Sequence, residues 1–598
     1  MSWSSGRSAT YGDFARWLET IGELHRVSIE VDPYLEITEI ARRAIREQKP
    51  AILFERVKGS SYPVVVNALA SERRCELALQ KHPAQLGEEL VRFLADAVPP
   101  RFSSLSAHRT IVRRLLSTPV RIVSAGRAQE FVERPDLDTL PVLTCWPGDG
   151  GRFITLPQVI TYDPLTGKRN MGMYRMHVFD RETTGMHWQI QKGGGFHFAQ
   201  AEKLGQPLEL AVAIGTDPAL LMATVAALPE NIDEAMFAGF LRGRRSEFVR
   251  ARSLSILVPA HAEFVLEGIV HPRERRMEGP FGDHFGHYSH AAKFPVFHLN
   301  AVTRRRDAVY PATVVGIPPM EDKFLGDATQ QILGPLVKLL HPEVSSMWAY
   351  YEAGFHNLLV VAVDQRYGKE GMKTALGLMG LSQLSLTKCI VLVSEGVDVN
   401  DFGGVLKEIH RWFDPHYDFL LIPRVPLDTL DFTSYAMNLG SKMIVDATRK
   451  PYRAGTKRSR PAGRKIPGLP EHVRSLDRRI TDAHLLHDTL LLVKVRGQGR
   501  KVLAKLIARR ELHDVAIVAT VSDDVDIRDR ENAIWGMFTR FDCERDVLFT
   551  EQRLVGACPI YQGVMGIDAT WKPGYPASLE MTHEVRKRVD ERWEKYWR

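Results

Sequence analysis

Apolar residues recur every three to four positions at Phe14, Trp17, Leu18 and Ile21, and again across 37–45, which predicts two amphipathic helices. Short apolar runs at 51–54 and 64–67 predict strands. Residues 1–118 therefore read as a small α/β domain. From 119 to 328 the pattern shifts to β-branched and aromatic runs at 158–162, 174–179, 208–213 and 308–315, interrupted by a helical stretch over 231–241. That pattern predicts a β-barrel-like domain.

Beyond residue 355 the pattern repeats. Asn357-Leu-Leu-Val-Val-Ala-Val363 and Cys389-Ile-Val-Leu-Val393 are matched by Leu490-Leu-Leu-Val-Lys-Val495 and Ile517-Val-Ala-Thr-Val521. Asp398 to Asp418 aligns without a gap to Asp526 to Asp546. The copies close on Asp446-Ala-Thr448 with Lys450-Pro451 and on Asp568-Ala-Thr570 with Lys572-Pro573. Each reads as strand, helix, strand, helix, strand, so two related α/β modules are expected, at 329–460 and 461–598. The last residues, 581–597, read as a helix.

The 598-residue chain is too long for one core, and roughly three to five domains are expected. No apolar run approaches the ~18 residues of a membrane span, and the polar first ten residues lack the core of a signal peptide. Five scattered cysteines form no CxxC pair and no disulfide framework, which fits a reducing cytoplasm. The net charge of +7 is partly concentrated over 449–465, RKPYRAGTKRSRPAGRK. Without interleaved aromatics or a nucleic-acid module this stretch reads as a solvated connector between the two modules, and no nucleic-acid partner is expected.

Glu278-Gly279-Pro280-Phe281-Gly282-Asp283 holds two acids five positions apart on a turn. The glycines permit backbone angles that other residues resist, and the proline sets one φ. An isolated pair of this kind is usually a solvated turn. Carboxyls in different environments can instead titrate apart, one donating a proton while the other stays ionised. Upstream, Asn170-Met-Gly-Met-Tyr-Arg175 places Asn170 and Arg175 on opposite faces of an extended chain, unless a twist or bulge at Gly172 brings them together. Gly185-Met-His187-Trp-Gln-Ile-Gln-Lys192-Gly193-Gly194-Gly195 offers a lysine followed by glycines, a plain loop or a close approach to an anion. Asn170, His187 and Glu234 together supply amide, imidazole and carboxylate ligands. That set suits Mn²⁺ or Mg²⁺ bridging to a phosphate better than a thiolate-rich zinc site.

These motifs resemble the UbiD-type decarboxylases, which use prenylated flavin mononucleotide (prenylated FMN) to remove carboxyl groups from aromatic or α,β-unsaturated acids. The resemblance runs from about residue 11 to 451. It includes Gly22-Glu23-Leu24, Asn170-x-Gly-x-Tyr-Arg175, Pro259-Ala260-x-Ala262-Glu263, Leu266-Glu267-Gly268 and the acid corner with His284. Thr387-Lys388 and Gly440-Ser-Lys-Met443 complete it, and the stretch from Gly185 looks closest to members acting on hydroxylated benzoic acids.

The resemblance implies a split β-barrel that binds the flavin. It makes Asn170, His187 and Glu234 the ligands of a Mn²⁺ that holds the flavin phosphate, with a K⁺ nearby as a further expectation. Met173, Tyr174, Arg175, His187, Trp188, Gln189, Lys192, Gly193 and Glu234 would contact the cofactor, and Lys388 is a further phosphate candidate. In the second copy the position of Lys388 is Ala516. Arg175, Glu278 and Asp283 would be catalytic. After carbon dioxide leaves a covalent substrate–cofactor adduct, Asp283, or alternatively Glu278, would deliver the proton, and Arg175 would orient Glu278. A resting carboxyl with a raised pKa is therefore expected at the corner. A flavin prenyltransferase would supply the cofactor, and a homo-oligomer is expected.

The second C-terminal copy departs from family members that end after one. It would imitate a partner subunit, enlarge an oligomer interface, or only add stability. Two other functions stay open: a non-catalytic flavin-binding subunit of a (de)carboxylase complex, and a metal-dependent hydrolase.

Overall fold

The computed structural model describes residues 9–96, 108–189, 192–228, 232–434, 436–450 and 468–598. Most of the basic connector 449–465, and the start of the helical stretch predicted from 231, lie outside them. The chain forms two compact units, residues 1–333 with 577–598, and residues 334–576. No helix among the described residues is long and apolar enough to cross a membrane.

The first unit opens with the predicted helices, Tyr11–Thr20 and Glu36–Arg46. Thr10 and Asp13 cap the first reciprocally, satisfying two backbone donors that a helix start leaves unpaired. Strands Leu24–Val27, Ala51–Phe54 and Val64–Val66 make a sheet, completed by Tyr310–Pro311 running parallel to Val64–Val66. The apolar run predicted over 308–315 thus serves the N-terminal sheet.

A larger antiparallel sheet carries the strands Thr183–Gly185, Ala292–Arg304, Phe264–Glu278, Leu208–Ile214, Pro157–Tyr162 and Arg169–Met173, in that order. Phe131–Glu133 pairs with Ala292–Arg304 off this path. Among the described residues no backbone pairing joins the two end strands, so the sheet stays open along that seam. Its apolar side chains, such as Val159, Leu210, Val212, Leu266 and Phe297, are buried in one core with Ile37 and Ile40 of the second helix.

The last 22 residues also belong to this first unit rather than to the second C-terminal module. The physical reason lies in the helix His583–Tyr596. Val585, Val589 and Tyr596 are buried in the core that holds Ile37, Ile40 and Ala44, and the Tyr596 hydroxyl donates to Glu36 Oε1 over 2.6 Å.

The second unit contains two five-stranded sheets of the same strand order. The first is Val344–Ala349, Leu359–Val363, Cys389–Ser394, Leu439–Ala447, Phe419–Pro426. The second is Ile480–Leu486, Leu490–Val495, Ile517–Ser522, Cys558–Ala569, Val547–Val555. In each the three central strands are parallel and the edge strands antiparallel. Buried polar bonds join them: Asn357 Nδ2 donates to the Phe538 carbonyl over 2.9 Å, and Ser441 Oγ to Asp542 Oδ2 over 2.9 Å.

Candidate functional site

The centre of the site is Arg175, placed by the end of a strand. Arg169–Met173 stays in regular register with Pro157–Tyr162, Gly172 facing Val159, so no bulge forms at Gly172. The strand stops after Met173 instead, and the chain turns at Tyr174 and Arg175 before the short strand Met176–His177. Gly172 still matters: a Cβ there would lie 2.2 Å from the Tyr174 hydroxyl oxygen.

Arg175 is buried, and its guanidinium is shared three ways. Nε donates to Glu278 Oε1 over 3.0 Å, one terminal nitrogen bonds Asp283, and the other donates to Ser289 Oγ over 2.9 Å. Its plane lies over the Phe281 ring, 4.8 Å from the centroid. Glu278 is the last residue of the strand Phe264–Glu278, and the turn after it brings Asp283 back to the same cation. Gly279 has φ +89°, a conformation other residues resist, as expected. Gly282 is required for space rather than for backbone angle, since a Cβ would lie 2.2 Å from Trp146 Cδ1.

The expectation of a raised resting carboxyl at this corner is overturned. Burial alone would push Glu278 up, but the Arg175 charge and the His187 hydrogen bond hold it down, at about 2. Burial is likewise overruled at Asp283, where Arg175 and the His284 ring, 2.9 Å from Asp283 Oδ1, keep the carboxyl well below its ordinary range. Both acids are ionised because one guanidinium serves both.

The raised carboxyls lie elsewhere. Burial pushes Glu234 up to about 7 and Asp149 up to about 6. Asp149 has no sequence motif beyond its flanking glycines, yet it ties the site together. Oδ2 accepts from the amides of Cys145 and Trp146 at 3.0 and 2.8 Å, and Oδ1 from Gly282 at 2.7 Å. Asp149, Ser289 and Phe281 are the participants that sequence reasoning missed, and only the closure of the turn onto Arg175 reveals them.

At the other end, Glu234 begins the helix Glu234–Arg242, and its Oε2 accepts the Met171 amide at 2.8 Å, next to Asn170. Lys192 occupies the position before the helix Gly193–Leu204, and the glycines form its first turn rather than a free loop. A Cβ on Gly193 would lie 2.0 Å from Asn170 Oδ1, so only glycine admits this approach. Tyr174 is buried, and its hydroxyl accepts from Asn170 Nδ2 at 3.3 Å and from the Gly194 amide at 3.2 Å. Met173 and Gln189 flank this end, Met173 paired with Gln158 and the Gln189 carbonyl accepting the Lys192 amide at 3.2 Å.

His187 stands with the acid corner. Its Nδ1 lies 2.8 Å from Glu278 Oε2, and its amide donates to the Arg175 carbonyl. Burial and then Arg175 lower its pKa, so the ring is neutral and, facing an ionised carboxylate, carries its proton on Nδ1. Nε2 then presents a lone pair, and among the described residues it is buried with no hydrogen-bond partner, as is Trp188 Nε1. A carboxylate behind an imidazole whose other nitrogen is unsatisfied is the support that metal-binding histidines use. Among the described residues no group of three His, Cys, Asp or Glu is gathered for a metal. The expected set needs only two of these types with the Asn170 amide, and an unsatisfied imidazole nitrogen and a raised carboxyl are donors of that kind.

Lys388 is a correction. It is fully buried in the second unit, 2.8 Å from Asp431 Oδ2 and donating to the Phe541 carbonyl over 2.8 Å. With its ammonium paired and shielded from solvent, it presents no charge to a phosphate.

Comparison with known proteins adds a family to this geometry. Residues 15–94, 121–318, and 323–447 with 467–569 match the N-terminal, Rift-related and C-terminal domains described for 3-octaprenyl-4-hydroxybenzoate carboxy-lyase, UbiD. A Chlamydia pneumoniae protein, named as one of the subunits of a 4-hydroxybenzoate decarboxylase, is 35% identical over 577 residues, 96% of both chains. Vanillic acid decarboxylase of Sedimentibacter hydroxybenzoicus superposes with a TM-score of 0.67 at 27% identity, covering 75% of this chain and 94% of that one. The UbiD-class enzyme HmfF of Pelotomaculum thermopropionicum, solved with FMN, gives 0.64 at 28% identity, covering 77% and 98%.

Proposed function

This chain belongs to the UbiD family of carboxy-lyases, and on that premise we propose that it decarboxylates a hydroxylated aromatic acid reversibly, using prenylated FMN and Mn²⁺. The observation that carries the reading is the single buried guanidinium of Arg175 holding both Glu278 and Asp283, with His187 braced behind Glu278. In this reading the open antiparallel sheet is the flavin-binding split barrel. Asn170, His187 and Glu234 would hold the Mn²⁺ and through it the cofactor phosphate, beside the helix start at Gly193 and the buried Trp188 and Tyr174. Prenylated FMN supplies the electron sink that loss of carbon dioxide from an aromatic ring requires.

The chain's own residues manage charge and the proton. Arg175 keeps Glu278 and Asp283 ionised at rest, so neither holds a proton before substrate arrives. A bound substrate carboxylate brings a further negative charge to the corner, which raises the pKa of its acids. Asp283, whose two oxygens face Arg175 and His284, then takes up a proton from solvent and delivers it to the ring carbon. Glu278 serves as the fixed partner of Arg175 and His187.

The test is anaerobic absorbance and mass spectrometry of the cofactor released from protein co-produced with a flavin prenyltransferase and Mn²⁺. Near one prenylated flavin per chain, with carbon dioxide released from a hydroxybenzoate panel, is expected. Folded, metal-loaded protein that retains no flavin would overturn the reading and favour the metal-hydrolase alternative.

A further inference from the structure

The last 22 residues do more than end the chain. Residues 281–289 form a narrow loop: the Asp283 amide donates to the His287 carbonyl over 3.1 Å, and the Ser289 amide to the Phe281 carbonyl over 2.8 Å. This loop carries Asp283 and also Ser289, the third partner of Arg175. Its outer arm is paired with the C-terminal segment. The Tyr288 amide donates to the Ala577 carbonyl over 3.2 Å, the Leu579 amide to the Gly286 carbonyl over 3.0 Å, and His287 bridges Ser578 in antiparallel register. On the inner side Leu579 is buried with its Cδ2 2.9 Å from where a Gly282 Cβ would stand, so it closes the space behind the residue preceding Asp283.

This added segment is itself anchored. Met581 and Val585 enter the core, the His583–Tyr596 helix is tied to Glu36 by Arg592 and Tyr596, and His25 Nε2 lies 2.7 Å from the Tyr596 carbonyl. The match to the C-terminal family domain ends at 569, so the whole segment lies beyond it.

We propose that residues 577–598 act as a brace that pairs a third segment of chain with the 281–289 loop, with Leu579 a positioning residue for Asp283. A two-arm loop can shift in register or fray, whereas an added segment fixed by an anchored helix removes that freedom. Proton delivery tolerates misplacement by about 1 Å poorly, because the donor must reach hydrogen-bond distance of the carbon it serves. The functional half of the proposal rests on Asp283 being the proton carrier; the structural half does not.

The test uses the full-length protein with Leu579→Pro, which removes the amide donated to Gly286, and Leu579→Ala, which removes only the side chain and covers the case where the proline variant does not fold. Hydrogen exchange is followed by mass spectrometry on the cofactor-loaded protein, alongside steady-state kinetics. Exchange across 281–289 should quicken at least about tenfold while the N-terminal helices keep their protection. Turnover should fall about 10- to 100-fold, with KM and flavin content within about twofold, and Leu579→Ile should restore both. Unchanged exchange at 281–289 would overturn the brace, as would exchange that quickens equally throughout the first unit. Quickened loop exchange with unaltered kcat would overturn its catalytic role. Wild-type protein without turnover would refute the proposed function instead, and the exchange comparison would still decide the brace.

Discussion

The two ends of the candidate site bury carboxylates under opposite conditions. At the corner, Glu278 and Asp283 share Arg175 and sit far down, Glu278 at about 2; at the other end Glu234 has a backbone amide for support and sits at about 7. Asp149 joins the second class at about 6, although three amides point at it. Burial is the largest influence at every one of these groups, and it always raises. What separates the ends is a cation in contact. At the corner Arg175 touches both acids, while at Glu234 the nearby Arg169 is paired with Asp233 and lowers the pKa less than burial raises it. On the proposed function, Mn²⁺ would supply at Glu234 the positive charge that Arg175 supplies at the corner.

Removing the guanidinium should collapse this difference. Arg175→Ala leaves two buried acids uncompensated, and a loss of about 3–5 kcal/mol in urea unfolding is expected. Turnover should fall by at least about 10³-fold, with carbon dioxide release as the readout. Arg175→Lys should recover part of the stability and little activity, since an ammonium cannot span two carboxylates and a serine in one plane.

Asp283→Asn separates charge from proton transfer. It should lower kcat about 10²- to 10⁴-fold with prenylated flavin still retained. Equal turnover in this variant would shift the proton role to Glu278.

Acid unfolding sharpens the comparison through opposite slopes. Glu278 is depressed from 4.5 to about 2, so its stabilisation is complete above 4.5 and is lost as pH falls through about 2. On the order of 3 kcal/mol is at stake, and Glu278→Gln should flatten that limb. Glu234 is raised from 4.5 to about 7, so its ionisation becomes a cost to the metal-free fold as pH rises from 4.5 through about 7. Glu234→Gln should abolish this loss in protein stripped with a chelator.

The smallest expected effect is on proton release. Mn²⁺ binding near pH 6 should expel close to one proton from Glu234, and close to none at pH 8.5. Calorimetry in two buffers of different ionisation enthalpy reads the difference directly.

Much of this was visible in the chain. The 3.6-residue period of 14–21, the β-branched runs that became Pro157–Tyr162 and Leu208–Ile214, and the repeat beyond 355 are local patterns, and they became the elements they predict. Residues bound to one turn, such as Glu278 and Asp283, could be grouped because five positions of chain hold them together. The tie of His187 to Glu278 is not legible in the chain, because 91 positions separate the two. Lys388 was misjudged because a lysine before an apolar strand looks available until Asp431 is found beside it.

The sequence by itself determined the elements, the repeat and which residue types stand at the candidate site, because periodicity, turn chemistry and residue type are properties of short segments. The tertiary structure alone decided their protonation and their support. A pKa depends on which charges lie within a few ångströms and on how much water is excluded, and both are set by residues far apart in the chain: Arg175 against Glu278, Asp149 against Gly282, and Leu579 behind the loop of Asp283.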